Sequence, residues 1–361
     1  MCALLISVIT LSGAANRSFR TEMEQWNPIG FTQATNGITQ ARSDSPITNR
    51  LTAGSAILPT VATAAPSGEL RGGSANVITF TTSKKNGEEI SLYMKYSGAA
   101  PTLSGATGTP ESGKSVTYTL TSQTVTITGD VTYFACYGNQ LTALDLSRNT
   151  ALTGLNCEDN QLTALDVSQN TALIRLYCED NQLTTLDVSQ NTALRGFWCD
   201  KNQLTALDVS KNTALQTLAC TNNQLTALDV SKNTALTGLY CYNNQLTALD
   251  VSKNTALEEL YCSNNQLTTL DVSKNTALGK LDCYNNQLKA LDVSQNTKLG
   301  TLDCRGNQIK GEEMTRLVNG LPDLTGKNPG EFTVLQEPDL EGNICLKSDV
   351  AIAKGKNWIT K

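Results

Sequence analysis

There is no histidine in this chain. That absence removes imidazole from every role it plays elsewhere: general acid or base, metal ligand, and partner of a nucleophilic serine or cysteine. Charge is also thin, with Asp, Glu, Lys and Arg making up 17% of residues against about 25% in an average domain. The 28 basic residues are outnumbered by 33 acidic ones, for a net charge of −5. No basic stripe is present, which argues against a nucleic-acid partner. The apolar run over residues 1–15 is too short to span a membrane, which takes about 20 residues. No glycine-rich phosphate loop and no catalytic constellation interrupts this picture. The expectation is a protein that is not an enzyme and carries no cofactor or metal.

What the chain has instead is repetition. The phrase LTGLNCEDNQLTALDVSQNTA at 152–172 returns from Leu173 and, with small changes, runs through to Leu299. A short fixed period means a solenoid, in which no unit buries a core alone and each stacks on the last. Each unit holds two half-turns. One reads L-x-x-L-x-C-x-x-N, as in Leu152, Leu155, Cys157 and Asn160; the other reads L-x-x-L-D-V-S-x-N, as in Leu162, Leu165, Val167 and Asn170. In both, the apolar pair alternates with period two, so it faces inward while its neighbours face out. Coils stacked at about 4.8 Å make a rod of roughly 40 Å over nine turns.

Around the repeats the chain divides into 1–15, an apolar signal-like segment ending in small residues; 16–72, a flexible leader rich in Thr, Ala, Ser, Asn and Gly; 73–130, a β-rich unit covering the first coil; 131–308, the repeats; and 309–361, a C-terminal α/β cap. Strands are expected at 77–81, 90–94, 116–120, 124–127 and 332–335, with Asn86-Gly87 in the turn between the first two. Met314, Leu317, Val318 and Leu321 recur at helical spacing, Pro322 ends that helix, and Ser348 is placed to cap a last helix through Ala353. The stretch 321–326, LPDLTG, superficially resembles a cell-wall sorting motif with one residue too many, and reads as a loop.

The motif L-x-x-L-x-[C/V]-x-x-N-x-L resembles the leucine-rich repeat. Its 21-residue form with cysteine in the core resembles internalin-J-like surface proteins and the NQLTALDVSxNTAL repeats of Bacteroidetes surface proteins. The resemblance covers about half the chain. It implies a β-rich solenoid, a right-handed leucine-rich-repeat coil with a β unit before it and an α/β cap after it, and a role in bacterial surface adhesion and host contact. Members often carry a further C-terminal anchoring domain; none is visible here.

Nine of the eleven cysteines, Cys136 to Cys304, are spaced by 21. Cys157 takes the place that Val167 holds in the other half-turn, so the column reads as a ladder of buried thiols, with disulfides as the alternative. The Asn160 and Asn170 columns read as structural, tolerating tight turns and satisfying backbone groups of the next coil. The Asp166 column reads as carboxylates bonded to neighbouring backbone or hydroxyls, with calcium as the alternative.

Variation between units concentrates around the Leu-x-Cys strand. The residue between Leu and Cys runs Asn156, Tyr177, Trp198, Ala219, Tyr240, Tyr261, Asp282, Asp303; the residue after Cys runs Glu158, Glu179, Asp200, Thr221, Tyr242, Ser263, Tyr284, Arg305. One face therefore gathers Tyr177, Trp198, Tyr240, Tyr242, Tyr261 and Tyr284, with Glu158, Glu179 and Asp200 toward its N-terminal end. Exposed aromatics with one wet edge are typical binding anchors. The alternative is that they pack on one another along an exposed strand. The expected function is a secreted or surface-displayed module that binds a protein or glycan on a host or neighbouring cell. The competing reading is a spacer with no ligand on its repeats.

Overall fold

The computed structural model describes residues 76–335 and 342–361. The signal-like segment at 1–15 and the leader at 16–72 lie outside the described residues. The description begins with eight strands: β1 (Val77–Thr82), β2 (Glu89–Tyr96), β3 (Thr102–Ser104), β4 (Ala106–Thr107), β5 (Lys114–Leu120), β6 (Thr124–Thr128), β7 (Val131–Ala135) and β8 (Leu141–Asp145). The turn at Asn86-Gly87 does not close a hairpin. β1 pairs with β6 and β8, whereas β2 pairs with β5 and β7, so the chain crosses between two sheets at 83–88. Burial drives the crossing. β1 alternates and β2 buries Ile90, Leu92 and Met94, and the two sheets face one core from opposite sides, with the ring centroids of Phe80 on β1 and Phe134 on β7 6.2 Å apart across it.

β7 joins this unit to the repeats. It lies antiparallel to β2 and parallel to β9 (Gly154–Asn156), so the sheet continues without a break into the solenoid. Then come β10 (Arg175–Tyr177), β11 (Gly196–Trp198), β12 (Thr217–Ala219), β13 (Gly238–Tyr240), β14 (Glu259–Tyr261), β15 (Lys280–Asp282) and β16 (Thr301–Asp303). Each pairs in parallel with the next in a register of 21, with Leu176 against Phe197 and Phe197 against Leu218. The sequence calls for a β-rich solenoid of leucine-rich-repeat coils, and that is the fold.

After the last coil come α1 (Glu312–Gly320), β17 (Gly330–Thr333), α2 (Lys347–Gly355) and β18 (Trp358–Thr360), and β17 and β18 extend the ladder to fourteen strands. Met314, Leu317 and Val318 are the buried face of α1. Two local expectations shift. The strand expected at 332–335 starts at Gly330 and leaves Leu335 exposed. Ser348 is inside α2 and not its cap. Asp349 reaches back instead, accepting the Leu346 N–H at 2.9 Å and the Thr315 hydroxyl at 2.8 Å.

Two polar columns hold the coils together. In the first, Asn223 donates to the carbonyls of Cys199, Cys220 and Thr221 and accepts from the Leu204 N–H. One side chain thus ties its own turn to the preceding coil, meeting backbone groups that burial would otherwise leave unpaired. In the second, Asn212 donates to the carbonyls of Val188 and Asn191. The tight-turn conformation itself sits one residue before the first asparagine. Positive φ falls at Gly138, Asp159, Asp180, Lys201, Asn222, Asn243, Asn264, Asn285 and Gly306. Gly, Asn and Asp accept that region readily, and lysine does not.

The cysteines Cys136 through Cys304 are buried and unbridged. Four donate S–H to the carbonyl of the facing residue one coil on, as Cys157 does to Tyr177 at 3.5 Å. Cysteine therefore fills a valine-sized site and adds a weak donor. Burial pushes these thiols above the usual cysteine range, which leaves them unreactive. The Asp166 column lies outside, each aspartate accepting the N–H of the serine two residues on, as at Asp229 and Ser231. Among the described residues, no group of three or more Cys, Asp or Glu side chains is placed to hold a metal.

Two substitutions test these columns by urea denaturation. Asn223→Ala is expected to lose about 2–4 kcal/mol, because it strands several buried backbone groups at once. Lys201→Asn is expected to gain about 0.5 kcal/mol, relief of the left-handed backbone outweighing loss of the exposed ion pair to Asp180 and of the lysine charge near Glu158 and Asp200.

Candidate binding face of the parallel sheet

The face opposite the thiols is built by the outward residues of β9–β16. Parallel pairing in a register of 21 puts Tyr177 beside Trp198, Trp198 beside Ala219, and Tyr240 beside Tyr261. The variable residues thus form continuous columns on a rigid ladder. The aromatic side chains do not, however, stand free in solvent. Trp198 is 8% exposed and Tyr240 6% exposed, while Tyr177, Tyr242, Tyr261 and Tyr284 are half-buried. They are outside the core cluster of leucines and thiols all the same.

Two contacts cover them. The first is stacking along the solenoid. Tyr177 and Trp198 stack with centroids 4.3 Å apart and planes 7° off parallel, and Tyr240 and Tyr261 stack at 5.1 Å and 16°. The second is a glycine two residues earlier on the same strand. A Cβ placed on Gly196 would lie 2.4 Å from the Trp198 ring, and one on Gly238 would lie 2.9 Å from Tyr240. Only a bare backbone lets the ring lean over its own strand, so glycine at these points is the seat of a ring. Ala219, between the two stacked pairs, is wholly covered. The expectation of exposed aromatics is corrected for Trp198 and Tyr240, which are almost covered: four of the six rings pack in two pairs, as the alternative reading had it, and each pair offers its outer edge and margin.

Three tyrosines absent from the sequence-based set belong to the face. Tyr133 seats over Gly154, Tyr93 meets Tyr133 edge-on at 5.6 Å, and Tyr137 holds the place of Glu158 one coil earlier. Counting back 21 residues from Gly154 and Glu158 reaches Tyr133 and Tyr137. Nothing in the sequence reaches Tyr93, which arrives through the antiparallel pairing of β2 with β7.

The acidic residues stack beside the first pair. Glu158, Glu179 and Asp200 follow one another on successive coils and are half-buried, contrary to the open surface expected for them. Asp200 accepts from the Thr221 N–H at 2.7 Å and hydroxyl at 2.6 Å. Oε2 of Glu179 is buried without a hydrogen-bond partner. Burial first, and then the carboxylates of Glu158 and Asp200, pushes Glu179 well above the usual carboxylate range. Burial raises Asp200 to about 6. At the other end, burial and the neighbouring Asp303 raise Asp282 to about 7. Arg305 clamps Asp303 with two nitrogens and lies 5.2 Å from the Tyr284 ring centre. Acidic groups therefore flank the aromatic stretch at both ends, where the sequence had placed them at one. Glu259 bridges the second pair to its neighbours, accepting from the Tyr240 hydroxyl and from Lys280, each at 2.6 Å.

A family model for leucine-rich repeats (two copies) matches residues 234–275 and 255–296. Among solved structures, the chain is similar to the functional domain of InlJ from Listeria monocytogenes, which includes a cysteine ladder. Identity there is 36% over 60% of this chain and 51% of that one, with a TM-score of 0.49. This chain spans about half the length of that domain. An internalin, InlF, from the same organism is 19% identical over 63% of this chain and 86% of its own, with a TM-score of 0.34. A leucine-rich-repeat protein of Leptospira interrogans is 20% identical over 63% and 70%, with a TM-score of 0.39. No protein of curated function matches the chain.

The raised carboxyls set a pH dependence. Glu179, Asp200 and Asp282 hold protons more tightly folded than unfolded. Stability is therefore lost as pH climbs from about 4, where the unfolded groups ionise, to about 7. The outer aspartates, such as Asp208 and Asp229, are shifted down by their serine hydrogen bonds and act in the opposite sense below about 4. The melting temperature is expected to peak near about pH 4–5 and fall toward about pH 8, with Glu179→Gln flattening part of the fall. A melting temperature that rises from about pH 5 to about pH 8 contradicts the assignment.

Proposed function

Because the chain is a leucine-rich-repeat protein, we infer that its work is binding: a non-catalytic module, secreted or displayed at a bacterial surface, that holds a macromolecular partner on the sheet face. One observation carries this reading. The coils scarcely change in the asparagine, aspartate and inner leucine positions, and their differences fall on one outward face whose backbone is fixed by the ladder. A preformed ladder loses little conformational freedom when a partner docks, so variable side chains on it convert contact into affinity with little ordering penalty.

The chemistry of the face defines the partner. Paired aromatic edges at Tyr177, Trp198, Tyr240 and Tyr261, flanked by Tyr242 and Tyr284, suit an apolar or sugar-like patch. The carboxylates of Glu158, Glu179 and Asp200 suit a basic segment next to it. A protein or glycan of a host or neighbouring cell surface answers both. That the rings commit much of their area to one another favours a second reading, a spacer whose tyrosines only stabilise the rod.

A triple substitution of Trp198, Tyr240 and Tyr261 with serine separates the two. With folding checked by circular dichroism, adhesion of the whole chain to host cells and matrix proteins is expected to fall at least tenfold. Adhesion at unchanged affinity would leave the spacer reading.

A further inference from the structure

At the C-terminal end of the solenoid lies an open trough of about 690 Å³, which borders the second aromatic pair at Glu259 and extends from there to the cap. Its floor arises from a change in one column of the repeat. The residue after the leucine of N-T-A-L runs Thr153, Ile174, Arg195, Gln216, Thr237, Glu258 and then Gly279 and Gly300. These two glycines neither seat a ring nor close a turn. A Cβ on Gly300 would meet nothing within 4 Å, and one on Gly279 only carbonyl oxygens at 3.7 Å and beyond. Side chains have simply been removed, and the space stays open.

The walls change at the same place. The alanine of N-T-A-L is kept in seven successive units, Ala151 to Ala277, and becomes Lys298 in the eighth. The loop at 321–329, which includes the sorting-like LPDLTG stretch, forms the opposite wall with Leu324, Lys327, Asn328 and Pro329. That wall is held rigid. Asn357 donates to the carbonyls of Leu324 and Lys327 at 3.0 Å each. The ring N–H of Trp358 donates to the Pro322 carbonyl at 2.9 Å.

Charge is divided along the trough. Lys280 is held by Glu259, while Lys298 and Lys327 are exposed and form no salt bridge among the described residues. Asp323 feels the Lys327 charge only through space, and Glu258 stands on the β14 side, away from the cap. The cap end is therefore positive. The floor offers no spare backbone donor, since the N–H groups of Gly300, Thr301 and Glu331 already bond to carbonyls of Gly279 and Gly300. Recognition must come from side chains: two ammonium groups for an anion, with Leu324, Pro329 and Ala277 for apolar contact. No aromatic lines the trough, so nothing offers a sugar ring a stacking surface. From β14 to β17 the floor runs three strand spacings, roughly 14 Å, which is about four residues of extended chain.

We propose that this trough binds a short extended peptide segment of about four residues, carrying an acidic side chain at the end near Lys298 and Lys327. The site meets the aromatic face at Glu259, which the Tyr240 hydroxyl holds, but its peptide does not depend on the function assigned there. The probe is a positional-scanning library of N-acetylated, C-amidated tetrapeptides, read against the whole chain. Asp or Glu is expected to be selected at one end position, with binding that weakens as salt is raised. Lys298→Ala with Lys327→Ala is expected to weaken the selected peptides at least tenfold. Gly279→Gln with Gly300→Thr, which restores side chains the column carries elsewhere, is expected to block them while leaving the circular dichroism and melting temperature unchanged. A Tyr177→Ser with Trp198→Ser variant, which removes the first aromatic pair and no residue bonded to the trough lining, is expected to bind them as before. The proposal is overturned if no position selects an acidic residue, if selection survives the glycine replacements, or if an acidic oligosaccharide such as oligogalacturonate binds the trough more tightly than any tetrapeptide.

Discussion

Every coil of this protein leaves backbone groups that only the next coil can satisfy, and the buried asparagine column is where those groups find partners. Asn160, Asn181, Asn202 and their successors each join three carbonyls and an N–H across two turns, as Asn181 does with Cys157, Cys178, Glu179 and Leu162. Because a single side chain serves both turns, the stack admits one register. A slip of one residue would bury donors without acceptors and turn leucines outward together. The thiols, leucines and valines fill the space so enclosed, and the aspartates order the turns outside it.

That register also builds the face. Parallel strands in a register of 21 set unlike residues side by side, so the neighbours of a side chain are chosen by arithmetic along the chain. Tyr177 stacks on Trp198, and Tyr240 on Tyr261, because each pair is 21 residues apart. Glycine completes the arrangement by letting Trp198 and Tyr240 lean over their own strands. The same arithmetic half-buries Glu158, Glu179 and Asp200 on successive coils, and that burial raises their affinity for protons. Where glycine appears without a ring to seat, at Gly279 and Gly300, the surface opens into a trough.

The residues on this face are thus divided between two tasks. A ring stacked on its neighbour stabilises the ladder, and the margin left uncovered is what a partner can touch. The division explains how Trp198 can be almost covered while lying wholly outside the leucine core. It also makes the half-buried carboxylates destabilising at neutral pH, an effect that a docked basic group would reduce.

Period, core columns and the inward or outward sense of each position were legible in the sequence, because a repeat of 21 with apolar residues at fixed places leaves one way to bury them. The thiol ladder and the asparagine columns followed from the same reasoning. Tertiary structure alone decided the rest. The pairing of β1 away from β2 depends on a shared core between two sheets, and the arrival of Tyr93 depends on β2 lying against β7. The exposure of Trp198 and Tyr240 depends on what lies beside and beneath them. The trough depends on a loop from the cap meeting the last coils. Periodicity reports which way a side chain points; how much of it stays in water is set by neighbours that only folding brings together.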